Sequence, residues 1–261
     1  MEFELSPRQA GSATVSRTAD GWHLEMPAGL SRTYRLAQLD DYARTPRGRT
    51  KHSPPWNIQA RMRVSDADLP GTWGFGLWND PFGLSLGFGG TPGRLPALPQ
   101  TAWFMYASPP NWLSLQENAL TGSDLAIPAN GFFAGTFRST RLPSFVFLPG
   151  VLAYPLLAVR PVSRFLRRLA GRIIQQDAAS VTLDVTQWHA YSFHWLAEAC
   201  TFSVDGVEIL STTCSPRPPL GLVIWIDNQF AAWTPQGQLS YGSLANPASW
   251  LEIEGLHIQQ E

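Results

Sequence analysis

Apolar and polar residues alternate along several short stretches of this 261-residue chain. The clearest is WNIQARMRV, at residues 56–64. Ile58 and Met62 fall on one face of this stretch and Arg61 on the other, which is the pattern of a strand buried on one side. Similar stretches predict strands along most of the chain, at residues 71–80, 101–108, 131–139, 188–195, 200–210, 219–230 and 249–259.

Two of these stretches carry a further signal. Asp205 and Gly206 separate two apolar runs, and this pair favours the tight turn of a β-hairpin because both residue types tolerate positive φ. In GTWGFGLWND, residues 71–80, glycine alternates with large apolar side chains. That pattern predicts another group packed closely against the strand backbone. With no internal repeat and no linker, residues 1–261 are expected to form one all-β domain.

Residues 139–178 interrupt the strand pattern and are expected to form an insertion. Its first part is an apolar hairpin: the eighteen residues 142–159 carry no charge, which just reaches the length of a membrane span. Prolines at 143, 149 and 155 argue against a continuous spanning helix. From Pro161 to about Gln176 the apolar positions predict an amphipathic helix, with proline in its first turn.

The predicted helix is strongly basic, and three interpretations of it stay open. It is a membrane-facing flap that binds anionic lipid, an interface for a homodimer, or a covering helix packed on the sandwich. Its apolar stripe consists of Phe165, Leu166, Leu169 and Ile173. The candidate membrane or interface residues are Arg160, Arg164, Arg167, Arg168 and Arg172.

Composition narrows the function classes. A net charge of −1 with 15% charged residues gives no reason to expect a nucleic-acid partner. Two cysteines, Cys200 and Cys214, are too few for a disulfide framework or a metal knuckle, which favours a reducing, cytoplasmic location. If the helix binds lipid, the protein is expected at the membrane surface. The N-terminal residues lack a basic start, an apolar core and a small-residue cleavage site, so no secretory signal is expected.

Five stretches in this order resemble the concanavalin A-like lectin/glucanase superfamily, and especially family 16 glycoside hydrolases: GTWGFGLW, TAWFMYAS, QWHAYSFHWLAEACTFSVDGVEI, PLGLVIWIDNQFAAWTP and WLEIEGLHIQ. The best match, residues 188–209, has the pattern WH-x-Y-x-x-x-W followed by F-x-VDG. The resemblance covers roughly residues 56–260. It implies an all-β jelly-roll sandwich into which the helical segment is inserted.

The resemblance fails at the catalytic strand. Family members carry glutamate-x-aspartate-x-x-glutamate on the strand that follows GTWGFGLW, and these carboxylates cleave sugars by a retaining mechanism. Here QTAWFMYASPPNWLSL, residues 100–115, stands in that place without a carboxylate. Retaining hydrolysis needs two carboxyl groups about 5–5.5 Å apart. The usual chemistry of the family is therefore not expected.

Other acids remain as candidates for catalysis. Asp80 and Asp227 follow tryptophan in apolar strands, which is unusual because lone carboxylates rarely lie in apolar surroundings. One interpretation places both in a single cleft, as ligand hydrogen-bonders or as an acid–base pair. The other makes Asp80 part of an Asp-Pro turn and Asp227 a strand-end cap. Glu117, in LQENAL, is the third candidate acid.

Ligand-binding candidates surround these acids. Trp225 shares a strand face with Asp227, and Trp103 shares one with Met105, whereas Trp73 and Trp78 point to opposite faces. An indole beside a hydrogen-bonding acid suits a sugar ring or a flat apolar ligand, although core packing is the commoner use of a tryptophan. The candidates are Trp78, Asn79, Trp103, Tyr106, Trp225 and Asn228.

No metal motif is present, and the sequence predicts no cofactor. His189 and His194 fall on opposite faces of one strand, so they cannot share a metal. The resemblance leaves room for a structural calcium, with Glu254 as the position to check.

The sequence thus predicts a protein that binds a glycan-like or amphiphilic ligand on a tryptophan-lined concave face without hydrolysis. The alternative is an enzyme, either a divergent glycosidase or a catalyst for an apolar substrate, with Asp80 and Asp227 as acid and base. A third alternative is an assembly protein that uses the insertion as its interface.

Overall fold

The computed structural model of the chain describes residues 4–81, 91, 93–116, 127–142 and 154–260. These residues build two seven-stranded antiparallel sheets, which enclose one apolar core, and a separate two-stranded ribbon. The predicted all-β sandwich is confirmed.

The strands of the first sheet are, in spatial order, β1 (Ser6–Ala10), β4 (Leu36–Asp40), β13 (Gly221–Asp227), β6 (Thr72–Trp78), β7 (Thr101–Ala107), β8 (Gly131–Ser139) and β9 (Ile174–Ser180). Those of the second sheet are β12 (Val207–Thr212), β11 (Cys200–Val204), β10 (His189–Trp195), β5 (Trp56–Val64), β16 (Ser249–Gln260), β3 (Gly21–Met26) and β2 (Thr14–Arg17). The ribbon pairs β14 (Gln229–Trp233) with β15 (Leu239–Ser243).

Aromatic side chains dominate the core between the sheets. Trp73 of β6 stacks on Tyr106 of β7, with ring centroids 5.4 Å apart. Phe104 meets Phe202 of the second sheet edge-on at 5.3 Å. Since this inner face takes alternate residues of each strand, the residues between them point to the outer face of the sheet. The outer face of the first sheet therefore carries its own set of side chains.

The predicted hairpin turn is confirmed. Asp205 and Gly206 have φ of 50° and 80° between β11 and β12. The Asp205 carboxylate accepts a hydrogen bond from the backbone N–H of Ala190 at 2.8 Å and lies 2.6 Å from Nδ1 of His189. These two contacts lower the pKa of Asp205. His189 thus helps to hold the hairpin turn in place.

The insertion lies within a single connection of the first sheet, because β8 and β9 are adjacent antiparallel partners. A 3₁₀ turn at Tyr154–Ala158 leads into helix α1 (Arg160–Ile173). The predicted helix ran to Gln176, but it ends earlier because Ile174 begins β9 and pairs with Ser139. Most of the predicted apolar hairpin, residues 143–153, lies outside the described residues. In the part of the chain that is described, no helix is long and apolar enough to cross a membrane.

Helix α1 docks on the domain through polar side chains. Ser163 and Arg167 are its buried residues. The Ser163 hydroxyl accepts a hydrogen bond from Nε1 of Trp233 at 2.9 Å, and Arg167 donates to the carbonyl of Ser114 at 2.8 Å. Phe165, from the predicted apolar stripe, is exposed instead. Arg167 was predicted to face a membrane or a partner. That prediction is wrong, because its guanidinium is buried and donates to carbonyl groups of the domain.

Candidate functional site

A narrow groove runs along the outer face of the first sheet, over β4, β13, β6 and β7. Its cavity volume is about 80 Å³. Segments that follow β7 and β13 cover part of the face and contribute Leu113 and Ala231 to its wall. We call this feature the indole groove, because three tryptophans are among the residues that line it. Its lining includes Trp78, Trp103, Met105, Val223 and Trp225.

Two glycines of β6 make room for the indoles. Gly74 lies beside Trp225 in the strand register, and Gly76 beside Trp103. A Cβ atom at Gly74 would lie 3.1 Å from the Trp225 ring, and one at Gly76 would lie 2.5 Å from Cβ of Trp103. The alternating glycines therefore let both indoles lie against the strand backbone, as the sequence predicted.

The indoles lean on one another rather than forming an open platform. The ring centroids of Trp103 and Trp225 are 5.7 Å apart with a tilt of 52°, and those of Trp78 and Trp103 are 6.2 Å apart with a tilt of 47°. All three residues are only 6–8% exposed. The predicted cleft is therefore a slot between ring edges, too narrow to hold a whole sugar ring flat on an indole face.

The groove ends at a carboxyl group. Oδ1 of Asp227 accepts hydrogen bonds from the Thr72 hydroxyl at 2.8 Å and from the Gln229 N–H at 3.2 Å, while the Tyr34 hydroxyl donates to Oδ2 at 3.2 Å. Nε1 of Trp225 donates to the same Thr72 hydroxyl at 2.9 Å. Burial raises the pKa of Asp227 to about 6, and these hydrogen bonds offset only part of that rise. Within the described ranges no cation pairs with this carboxylate.

Trp103 brings a buried donor without an acceptor to the groove. Within the parts of the chain the structure describes, Nε1 of Trp103 has no hydrogen-bond partner. A buried donor left in this way costs about 1–3 kcal/mol. This N–H and the Asp227 carboxylate are two polar points in a lining that is mostly apolar but also includes Gln38 and Asn111.

Thr72 and Tyr34 were missed by the sequence analysis. Thr72 has the same strand parity as Trp78, so alternation along β6 was a usable signal for it. Tyr34 precedes β4, whose LAQLD sequence is buried at every position and does not alternate. Nothing in the sequence pattern marks that strand as part of the outer face.

Asp80 lies at the far end of the same strand pair. Asp227 is opposite Thr72, whereas Trp78, two residues before Asp80, is opposite Gly221. Six residues of strand separate the two ends, or about 20 Å. Two carboxyls at that distance cannot act on one bond. The predicted acid–base pair of Asp80 and Asp227 is therefore not formed.

Asp80 instead holds a loop in place. Its side chain is fully buried, and Oδ2 lies 3.0 Å from Nη1 of Arg94. The N–H of Thr91 also donates to this carboxylate. With a φ of 50°, Asp80 has a left-handed backbone conformation just after β6, where the alternative interpretation had placed an Asp-Pro turn.

Three predicted ligand residues are structural. Oδ1 of Asn79 accepts a hydrogen bond from the Gln100 N–H, and Oδ1 of Asn228 accepts one from the Arg35 N–H. Both asparagines are thereby committed to backbone groups. Tyr106 points to the inner face, since its strand position is one removed from that of Met105. The predictions of a ligand-binding role for these residues were wrong.

The remaining predicted positions bring no further group to the groove. Glu117 lies outside the described residues. Glu254, the position proposed for a structural calcium, pairs with Arg61 at 2.5 Å on the second sheet. Over the described ranges, no three histidine, cysteine, aspartate or glutamate side chains come together as a metal site.

Comparison of the fold with solved structures finds many similar proteins, among them the following three. An endo-β-1,4-glucuronan lyase from the fungus Trichoderma reesei matches with a TM-score of 0.51 and 11% identity, over 98% of this chain and 90% of that one. A legume lectin-like domain from Entamoeba histolytica matches with a TM-score of 0.50 and 10% identity, over 98% and 90%. A family 16 glycoside hydrolase from Bacteroides ovatus has a TM-score of 0.45 and 13% identity, over 95% and 85%.

The first two similarities confirm the predicted concanavalin A-like jelly-roll fold. Their low sequence identity shows the fold alone. No protein-family model matches the chain, and no curated protein matches it.

Proposed function

We propose that the indole groove binds the apolar part of a glycan-like or amphiphilic molecule, and that Asp227 binds its hydroxyl groups, without hydrolysis. The observation that carries this proposal is the position of Asp227. It is an acid with a raised pKa at the end of an apolar groove, and no described cation neutralises it. Burial of such a carboxylate opposes folding, so packing alone does not account for it.

The chemistry of the groove supports a ligand with two parts. The carboxylate of Asp227 is an acceptor for hydroxyl groups, and the N–H of Trp103 is a donor for an ether or hydroxyl oxygen. Between them lie indole edges and Met105, which favour an alkyl chain or the apolar edge of a ring. At about 80 Å³ the groove is smaller than the roughly 300 Å³ at which most small-molecule pockets begin. It therefore takes only one part of such a ligand.

The structural neighbours support a glycan as the hydroxyl-bearing part. One is a lyase of a glucuronan and another is a lectin-like domain, and both share this fold over nearly the whole chain. The fold hosts more than one function, so the site itself must supply the specificity. The carboxylate and the indoles on the outer face of the first sheet are consistent with that role.

The test titrates the protein with octyl β-glucoside below its micelle concentration, with glucose and octanol as separated halves, and follows tryptophan fluorescence. We expect a saturable change with octyl β-glucoside and at least a tenfold weaker response to either half. Ala231→Phe fills the groove and should remove the signal. Ala190→Phe, an exposed strand alanine on the second sheet, is the matched control and should leave the signal unchanged. A response that survives Ala231→Phe, or no response in the native chain, would overturn the proposal.

The enzyme alternative rests on the same carboxyl. A group whose pKa is near 6 can accept and return a proton close to neutral pH, which a single acid–base catalyst needs. If the chain is an enzyme, prolonged incubation releases octanol from octyl β-glucoside, and Asp227→Asn stops release while binding persists. Recovery of intact octyl β-glucoside from the native protein supports binding without hydrolysis.

A further inference from the structure

Helix α1 presents an unusual face to solvent. Its buried residues are a serine and an arginine, while Phe165 is 66% exposed and Leu169 is 44% exposed. Just before the helix, Leu156 and Val159 are also about half exposed. An isolated exposed apolar residue is ordinary, but four of them on one short segment are not. We call these four residues the apolar patch.

Polar contacts fix the helix in this orientation. Arg167 donates to the carbonyls of Trp233 and Ser114, and Ser163 accepts from the Trp233 indole. Residues 163 and 167 are one helical turn apart and define one face. Phe165 and Leu169 are also one turn apart, but they lie on the opposite face, so the contacts that dock the helix hold its apolar pair outward.

Positive charge borders these apolar residues along one side of the helix. Four exposed arginines, spaced four residues apart, form a stripe along the helix next to Phe165: Arg160, Arg164, Arg168 and Arg172. From Leu125 to Gln176 the sequence contains seven arginines and no acidic residue, although the whole chain has a net charge of −1. The surface therefore combines an apolar centre with a basic border.

We propose that this face of α1 docks on an anionic membrane surface, with Phe165 and Leu169 at the level of the headgroups and the arginine stripe on the lipid phosphates. A basic helix with an apolar outer face is the form that lies in the plane of an interface. A second copy of the chain fits less well, because a symmetric contact would place two arginine stripes side by side. Nucleic acid would use the arginines but not the apolar pair.

The test is flotation of the full chain with vesicles of phosphatidylcholine, alone or with 30% phosphatidylglycerol, at 50 mM and 500 mM NaCl. We expect flotation with the anionic vesicles at low salt only. Phe165→Ser with Leu169→Ser should reduce the bound fraction at least tenfold, and so should Arg164, Arg168 and Arg172→Gln. The matched controls are Leu30→Ser with Val207→Ser, which removes two exposed apolar residues elsewhere, and Arg32, Arg44 and Arg49→Gln, which removes the same charge.

Each other outcome overturns the proposal. No flotation at low salt does so directly, and an equal loss in the controls shows only a net-charge or general apolar effect. If light scattering shows a dimer that Phe165→Ser with Leu169→Ser dissociates, the face is a self-association surface. If the native chain does not float with any vesicle but binds a duplex oligonucleotide, and Phe165→Ser with Leu169→Ser binds it equally well, the arginines serve nucleic acid. Unchanged near-ultraviolet circular dichroism shows that each variant remains folded.

Discussion

Asp227→Asn is expected to make the protein more stable above pH 6. Burial raises the pKa of Asp227 from 3.8 to about 6, so the unfolded chain loses this proton at lower pH than the folded chain. Stability contributed by the protonated carboxyl is therefore lost as pH rises from about 4 through 6, and the loss reaches about 3 kcal/mol at pH 8. Asparagine does not ionise, so the variant escapes this loss.

The asparagine also fits the contacts of the site. Its Oδ1 can still accept from Thr72 and the Gln229 N–H, and its Nδ2 can donate to the oxygen of Tyr34. Urea unfolding at pH 4 and pH 8 measures the effect: the stability of Asp227→Asn relative to the native chain should grow by about 2 kcal/mol between them.

Asp205→Asn is the matched control with the opposite sign. Hydrogen bonds from the Ala190 N–H and His189 lower the pKa of Asp205, so its ionised form stabilises the fold. The same substitution there should lower stability at pH 8. If Asp227→Asn destabilises the protein at pH 8, its carboxylate is a structural acceptor, and the proposal that it serves a ligand loses its main support.

Strand parity predicted much of the fold and part of the groove. Alternation predicted the first and last residues of β5 and β8 as they are observed. It also put Trp103 and Met105 on one face of their strand, and Trp225 and Asp227 on one face of theirs. Such a prediction succeeds because the side-chain period of a strand is fixed by its backbone. The glycines of β6 likewise predicted close packing, because a residue without a Cβ leaves space directly beside its own backbone.

Distances across the sheet were not predictable in the same way. Asp80 and Asp227 look equivalent in sequence, because each follows a tryptophan near the end of an apolar strand. Their strands are adjacent and antiparallel, so the C-terminal ends of the two strands point in opposite directions along the sheet. Asn79 and Asn228 look like ligand residues for the same reason, yet backbone N–H groups distant in sequence bind both side chains. Partners of this kind appear only when the chain is folded.

The orientation of α1 shows the same limit. Periodicity correctly predicted a helix, and its apolar stripe was expected to meet a membrane, a second copy of the chain or the sandwich itself. The structure turns the helix so that Ser163 and Arg167 face inward instead. Arg167 donates to the carbonyls of Ser114 and Trp233, and Ser163 accepts from the Trp233 indole. These partners belong to segments distant in sequence, so no pattern within residues 160–173 could identify the buried face.

Arg167→Met should therefore destabilise the protein far more than the same change at its neighbour. The Arg167 guanidinium is 1% exposed and donates to the carbonyl of Trp233 at 2.9 Å, of Ser114 at 2.8 Å and of Gln116 at 3.4 Å. Methionine fills similar space but leaves these acceptors unsatisfied, each at about 1–3 kcal/mol, so urea unfolding should show a loss of about 3 kcal/mol. Arg168→Met, on the exposed face, should change stability by less than about 0.5 kcal/mol.

Proteolysis separates undocking of the helix from loss of the whole fold. If the contacts of Arg167 hold α1 on the domain, trypsin should cut Arg167→Met after Arg164 and Arg172 at urea concentrations where the Trp73 core is still folded. Arg167→Lys keeps a charge but cannot reach several carbonyls with a rigid fork of donors, so it should fall between the two methionine variants. Equal stability and equal cleavage of Arg167→Met and Arg168→Met would show that apolar contacts, rather than this buried arginine, determine which face of the helix meets solvent.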